Sequence, residues 1–116
     1  MFITFCKSKI AHARVTQAEL YYEGSITIDE SVIQAVGILP GEKVEVFNIN
    51  NGSRLETYVI AGKAGSGHIC LNGPAARLGY VGDKLIIVSY ALMTPDEAKA
   101  MKTKAVYLDD GNKIKA

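Results

Sequence analysis

A chain of 116 residues is long enough for one domain with a real core and too short for two. Hydrophobic residues make up 48% and charged residues 22%, and thirteen Lys plus Arg against twelve Asp plus Glu leave a formal charge of +1. No basic run supports a nucleic-acid surface, no apolar run approaches the roughly 20 residues of a membrane span, and MFITFCKSK lacks the apolar segment and cleavage site of a secretory signal. A cytoplasmic protein with no nucleic-acid or membrane partner is expected.

Ile10 to Thr16 and Leu20 to Tyr22 read as strands, then Gly24-Ser25, then a strand from Ser25 to Ile28. Asp29 is placed to N-cap a short helix carrying Val32, Ile33, Ala35 and Val36, which stops at Gly37. Pro40-Gly41 makes a turn. Lys43 to Asn48 alternates, Asn50-Asn51-Gly52 is a hairpin turn, and Arg54 to Ile60 returns. The two-residue period of that strand puts Arg54, Glu56 and Tyr58 on one face and Leu55, Thr57 and Val59 on the other.

GKAGSGH, residues 62 to 68, is rich in exposed backbone N–H groups, which invites a phosphate-binding reading. It lacks the Gly-Lys-Ser/Thr ending of a P-loop and lies between strands, so a hairpin loop is the expectation. Ile69 to Leu71 is a strand broken by Asn72-Gly73-Pro74, with a helical turn over Ala75 to Leu78. Lys84 to Tyr90 has the apolar run of a strand buried on both sides. Thr94-Pro95-Asp96-Glu97 starts a short helix to about Met101. Val106 to Leu108 is an edge strand, and the polar tail from Asp109 is expected to fray. Strands dominate, and a small closed barrel removes their edges most economically.

The two cysteines, Cys6 and Cys70, fit no CxxC pattern, and His12 and His68 complete no zinc-like spacing. Free buried thiols and no metal are expected. No Ser-His-Asp set or GxSxG elbow is visible. Gly24-Ser25, taken alone, is a turn dipeptide.

Four separated segments change that reading. Lys9-Ile10, YEGSITID at 22–29, NINNGSRLETY at 48–58 and LNGPAAR at 71–77 resemble, in order and spacing, the pyruvoyl-dependent aspartate 1-decarboxylases, along residues 3 to about 107. The resemblance implies a mostly-β double-psi β-barrel with short helices, a single domain over residues 1–116, and a homotetramer with active sites between subunits. It also implies that L-aspartate is converted to β-alanine and CO2 for pantothenate and coenzyme A synthesis. A non-catalytic barrel used for binding or oligomerisation, or an unprocessed decayed relative, is the competing expectation.

In such enzymes the precursor is cut between Gly24 and Ser25 into chains 1–24 and 25–116. The Ser25 hydroxyl attacks the Gly24 carbonyl, and glycine at 24 is expected to clear that approach and to tolerate strained backbone angles. By resemblance Thr57 holds the oxyanion. Elimination and hydrolysis turn Ser25 into a covalent pyruvoyl group, which forms a Schiff base with the substrate and does the work otherwise done by pyridoxal phosphate. Tyr58 is implied as proton donor, Lys9 and Arg54 as cations for the substrate carboxylates, and Thr57, Gly73, Pro74 and Ala75 as further substrate contacts. Tyr22 and Asn72 support the cleavage site. Some relatives need a maturation factor, so such a partner remains open.

Two departures from the family pattern stand out. Relatives carry histidine two places after the lysine, whereas this chain reads Lys9-Ile10-Ala11-His12, so a bulge must restore the ring or histidine is dispensable. Pro74, where many relatives have alanine, removes one backbone donor.

Overall fold

The structure is a computed structural model that describes residues 1–115. Eight strands are formed among them: β1 (Ile3–Arg14), β2 (Gln17–Glu19), β3 (Ser25–Asp29), β4 (Lys43–Asn48), β5 (Arg54–Gly62), β6 (Ile69–Asn72), β7 (Lys84–Met93) and β8 (Lys104–Tyr107). Two α-helices, α1 (Glu30–Val36) and α2 (Pro95–Ala100), and a 3-10 helix at Gly73–Arg77 complete the chain.

The strand order is β2-β6-β3-β5-β4-β7-β1-β8. β2 lies at one end of that order and β1 near the other, yet only Val15 and Thr16 separate them in sequence. The sheet must therefore roll up on itself. Thr16 stitches the closure, its N–H and hydroxyl both donating to the Ile69 carbonyl at 2.8 and 3.0 Å. The interior is a single cluster that includes Ile10, Val15, Ile26, Ile28, Val46, Val59, Ile69, Leu71, Leu85 and Ile87. Each such side chain contributes about 1.5–3 kcal/mol by leaving water.

Local chemistry explains the helices. The Asp29 carboxylate accepts from the Ser31 N–H at 2.9 Å, and Gly37, at φ +74, closes α1 with N–H bonds back to Ile33 and Gln34. Thr94 and Glu97 form a reciprocal capping box on α2.

β1 begins seven residues earlier than expected, because Ile3 to Cys6 pair with Tyr90 to Met93 of β7, a partner that local pattern does not reveal. Leu20 to Tyr22 is a turn rather than a strand, and the paired residues are Gln17–Glu19 alongside Cys70 to Asn72. The polar tail does not fray as expected. Asn112 is 1% exposed; its side chain accepts from the Arg14 N–H at 2.7 Å and donates to the carbonyls of Arg14 and Gly67, both at 2.8 Å. At least three hydrogen bonds and burial outweigh the entropy of a loose end.

The glycine loop does bind an anion, and that anion is the protein's own. Gly65 and Gly67 donate their N–H groups to the Asp29 carboxylate at 3.0 and 2.9 Å.

Candidate active site

Topology brings the residues predicted around the cleavage site together, though not the predicted cations. β3 lies between β6 and β5, antiparallel to the first, with Ser25 opposite Asn72, and parallel to the second, with Ile26 beside Val59. The chain thus enters β3 at Gly24-Ser25 with Asn72 on one flank and the Thr57-Tyr58 end of β5 on the other.

Ser25 is fully buried. Its hydroxyl donates to the Glu23 carbonyl at 3.2 Å and accepts from Asn72 Nδ2 at 3.0 Å. The same Nδ2 donates to Thr27 Oγ1 at 2.9 Å, and the Cys70 thiol donates to Asn72 Oδ1 at 3.0 Å. Burial, followed by the Glu19 charge, pushes the Cys70 thiol above its ordinary pKa, so it stays a proton donor.

Beside this network lies a cavity of about 330 Å³ whose wall includes Gly24, Thr57, Tyr58, Asn72, Pro74 and Ala75. Glu56 is the one charged residue that lines it; no cation does, among the described residues. Gly73 sits behind the wall at φ +64. A Cβ there would come within 2.7 Å of the Tyr22 carbonyl oxygen and 2.9 Å of Gly24 Cα, so only glycine lets the 3-10 turn approach the Gly24 backbone this closely. Pro74 heads that turn, where a missing N–H costs little.

Gly24 corrects an expectation. Its φ lies outside the left-handed region, and beyond its chain neighbours an added Cβ would meet only Pro74 Cδ, at 3.4 Å. The left-handed backbone belongs to Gly73, where an added Cβ would also strike the Tyr22–Gly24 segment.

Lys9 and Arg54 are not brought to the cavity. Lys9 is half-buried on β1 between Val88 and Ala105, and Arg54 is exposed with its guanidinium 4.4 Å above the Phe47 ring. The alternation expected of β5 holds, with Arg54, Glu56 and Tyr58 exposed and Val59 buried, so Arg54 shares the outer face with Tyr58 without sharing the cavity. Tyr22 is exposed and lines a separate depression with Cys70 and Asn72. His12 occupies a bulge, where the β1–β7 register shifts between Ala11 and Ala13, with φ +64; its ring meets Tyr107 edge-on at 5.7 Å. The bulge exists, and the ring does not line the cavity.

Sequence reading missed Thr27 and Cys70, the latter taken as an idle thiol. Their signal is the two-residue period: Thr27 shares a face with Ser25, and Cys70 with Asn72. It becomes readable only once β3 is paired with β6. Among the described residues no group of three or more His, Cys, Asp or Glu could hold a metal ion.

A small double-psi β-barrel, with a buried serine at a strand entrance beside a cavity, is the class that fold and site define. Two designed double-psi β-barrel proteins share the architecture: msDPBB_sym2, at TM-score 0.51 and 19% identity over 77% of this chain and 99% of that chain, and mkDPBB_sym1, at 0.50 and 19% over the same shares. Residues 1–115 match the family described as aspartate decarboxylase, and the chain belongs to that family. Similar curated proteins are the aspartate 1-decarboxylase of Carboxydothermus hydrogenoformans, 60% identical over 98% of this chain and 90% of that protein, and that of Bacillus subtilis, 57% identical over the same shares.

Proposed function

We propose that this chain is an enzyme that decarboxylates L-aspartate to β-alanine and CO2, for pantothenate and coenzyme A synthesis, after cutting itself between Gly24 and Ser25. Family membership supports the reaction class. The observation that carries the self-cleavage is the buried Ser25 hydroxyl, held by Asn72 next to a cavity bordered by Gly24, Thr57 and Tyr58.

In the proposed route Ser25 Oγ attacks the Gly24 carbonyl carbon, its proton passes to the departing Ser25 nitrogen, and an ester replaces the amide. Thr57, on the cavity wall, donates to the oxyanion formed on the way. Loss of the Ser25 α-proton expels the Gly24 carboxylate, and hydrolysis of the product consumes one water and releases ammonia. Residues 1–24 and 25–116 become separate chains, the second beginning with a covalent pyruvoyl group.

The residues present fit such a group. Thr57, Tyr58 and Asn72 line the cavity bordered by Gly24 and carry hydroxyl and amide donors that would hold its carbonyl oxygens. When formed, the ketone supplies the electron-withdrawing carbonyl that draws off the electron pair left by CO2, without metal or pyridoxal phosphate. The Tyr58 hydroxyl gives a proton to the carbon that lost CO2.

Aspartate brings two carboxylates, and the cavity wall of one chain offers Glu56 and no cation. Arg54 on the exposed face of β5 and Lys9 on β1 therefore meet substrate across subunit boundaries, in a homotetramer whose sites lie between chains. The free thiols of Cys6 and Cys70 suit a cytoplasmic location.

Denaturing intact-mass spectrometry together with a β-alanine assay tests the reading. Two fragments breaking after residue 24 are expected, the larger blocked to Edman sequencing. A single uncut chain in protein that makes β-alanine would overturn the mechanism.

A further inference from the structure

The Asn72 side chain can be placed two ways about its terminal bond, with nitrogen and oxygen exchanged, and what it presents to Ser25 depends on which is adopted. Its neighbours on one side are the hydroxyls of Ser25 at 3.0 Å and Thr27 at 2.9 Å. Either hydroxyl can donate or accept, so neither fixes the amide. The neighbour on the other side is the Cys70 thiol, 3.0 Å away and only 3% exposed. A thiol is weak in both roles, but its buried S–H needs an acceptor, and the amide oxygen at 3.0 Å is the nearest one. Its alternative acceptor, the Leu71 carbonyl, lies farther off at 3.9 Å.

We propose that Cys70 is a positioning residue for chain cleavage: by donating to Asn72 Oδ1 it holds the amide in the orientation that points Nδ2 at Ser25 Oγ. In that orientation Asn72 binds a lone pair of the serine oxygen, and the hydroxyl proton goes to the Glu23 carbonyl. With the amide reversed, Asn72 Oδ1 would take the serine proton, and the hydroxyl would rotate away from the arrangement described. Burial, and after it the Glu19 charge, favours the protonated thiol and so keeps it a donor.

This inference rests on the self-cleavage reading and deepens it. Wild type and three variants of the full chain, Cys70→Ala, Cys70→Ser and Cys70→Val, are pulse-labelled in a bacterial host and chased, and the split at Gly24-Ser25 is followed on denaturing gels. Cys70→Ala and Cys70→Val are expected to split about tenfold more slowly, the effect of one buried hydrogen bond. Cys70→Ser, which keeps an O–H donor at the same place, is expected to stay within about threefold of wild type. A purely structural role for the thiol would track size and polarity, favouring the apolar replacements in this buried site over serine. Once cleavage is complete the Ser25 hydroxyl is gone, so β-alanine formation per processed chain is expected to change less than the cleavage rate does.

Cys70→Ala splitting at the wild-type rate would overturn the proposal, as would Cys70→Ser splitting as slowly as Cys70→Ala. If the alanine and valine variants fail to fold, the serine variant decides alone: a delay beyond threefold sinks the idea. A wild-type chain that never splits would instead overturn the self-cleavage reading itself.

Discussion

β3 is five residues long and carries a buried polar side chain at each end, Ser25 at its entrance and Asp29 at its exit. The exit is closed in every direction. Asp29 accepts from the Ser31 N–H and hydroxyl and from the N–H groups of Gly65 and Gly67, and it is fully buried. The entrance is closed on one side by Asn72 and open on the other to a cavity of about 330 Å³ bordered by Gly24. A buried polar group whose bonds are filled by three backbone N–H groups and an adjacent hydroxyl holds a fold together. One held by a single amide and one neighbouring carbonyl, with a cavity next to its chain neighbour Gly24, is the end proposed to react.

Ser25→Ala should break the reactive end completely while leaving the structural end intact. Intact mass is expected to show one uncut chain of 116 residues, and β-alanine formation should fall to background. Fragments ending at residue 24 in that variant would remove Ser25 from the chemistry.

Tyr58→Phe separates cleavage from turnover. The ring remains on the cavity wall, so two fragments are still expected, but loss of the proton donor should lower kcat about 100-fold or more. Unchanged kcat in fully processed protein would show that the proton comes from elsewhere.

Gly73→Ala tests the packing behind the entrance. At φ +64, with its Cβ 2.7 Å from the Tyr22 carbonyl oxygen, alanine should cost about 3 kcal/mol of stability and displace the Tyr22–Gly24 segment. Thermal unfolding in a Ser25→Ala background measures the first effect without interference from cleavage. A variant as stable as its parent would mean that the close approach is not tight.

At the structural end, Asp29→Asn should cost about 2 kcal/mol, because one amide oxygen cannot replace a carboxylate that accepts from four donors. Its pH dependence has a definite sign. Burial alone would raise the Asp29 pKa, but the Ser31 hydroxyl and the N–H groups of Gly67, Gly65 and Ser31 outweigh it and hold the carboxyl below its ordinary value. Folding therefore favours the ionised form. The stabilisation is fully present above the unfolded value of about 3.9 and is lost as pH falls through the lower folded value. The melting-temperature gap between wild type and Asp29→Asn should be constant from neutrality to about pH 5 and narrow below about pH 4. A gap that widens in acid would contradict the network.

The two ends were not equally legible in the sequence. Asp29 could be read as a cap because its partner Ser31 is two residues away, and the Thr94–Glu97 capping box is just as local. The β4–β5 hairpin and its alternation followed from Asn50-Asn51-Gly52 and a two-residue period. By contrast, the donors of Gly65 and Gly67 lie 36 and 38 residues from Asp29, and Asn72 lies 47 residues from Ser25. No local pattern predicts such bonds, and the members of the entrance site were visible only through family motifs. The tail shows the same limit, since the anchoring of Asn112 to Arg14 spans 98 residues. Polar composition there signals a loose end until the far partner is known.

The smallest expected effect concerns the glycine that the sequence made most conspicuous. Gly24 looks indispensable because it supplies the carbonyl to be cut, yet its backbone is not left-handed and a Cβ would make an ordinary 3.4 Å contact with Pro74. In a Ser25→Ala background, adding Gly24→Ala should therefore change stability by less than about 1 kcal/mol, helped by the reduced freedom of the unfolded chain. With serine restored at 25, any loss of cleavage in Gly24→Ala would then arise at the reacting carbonyl, where a methyl group crowds the approach of Ser25 Oγ, and not from misfolding. Comparable destabilisation by Gly24→Ala and Gly73→Ala would erase that distinction. It would return the conformational demand to the scissile residue itself and make strain in the ground state, rather than alignment by Asn72, the source of reactivity.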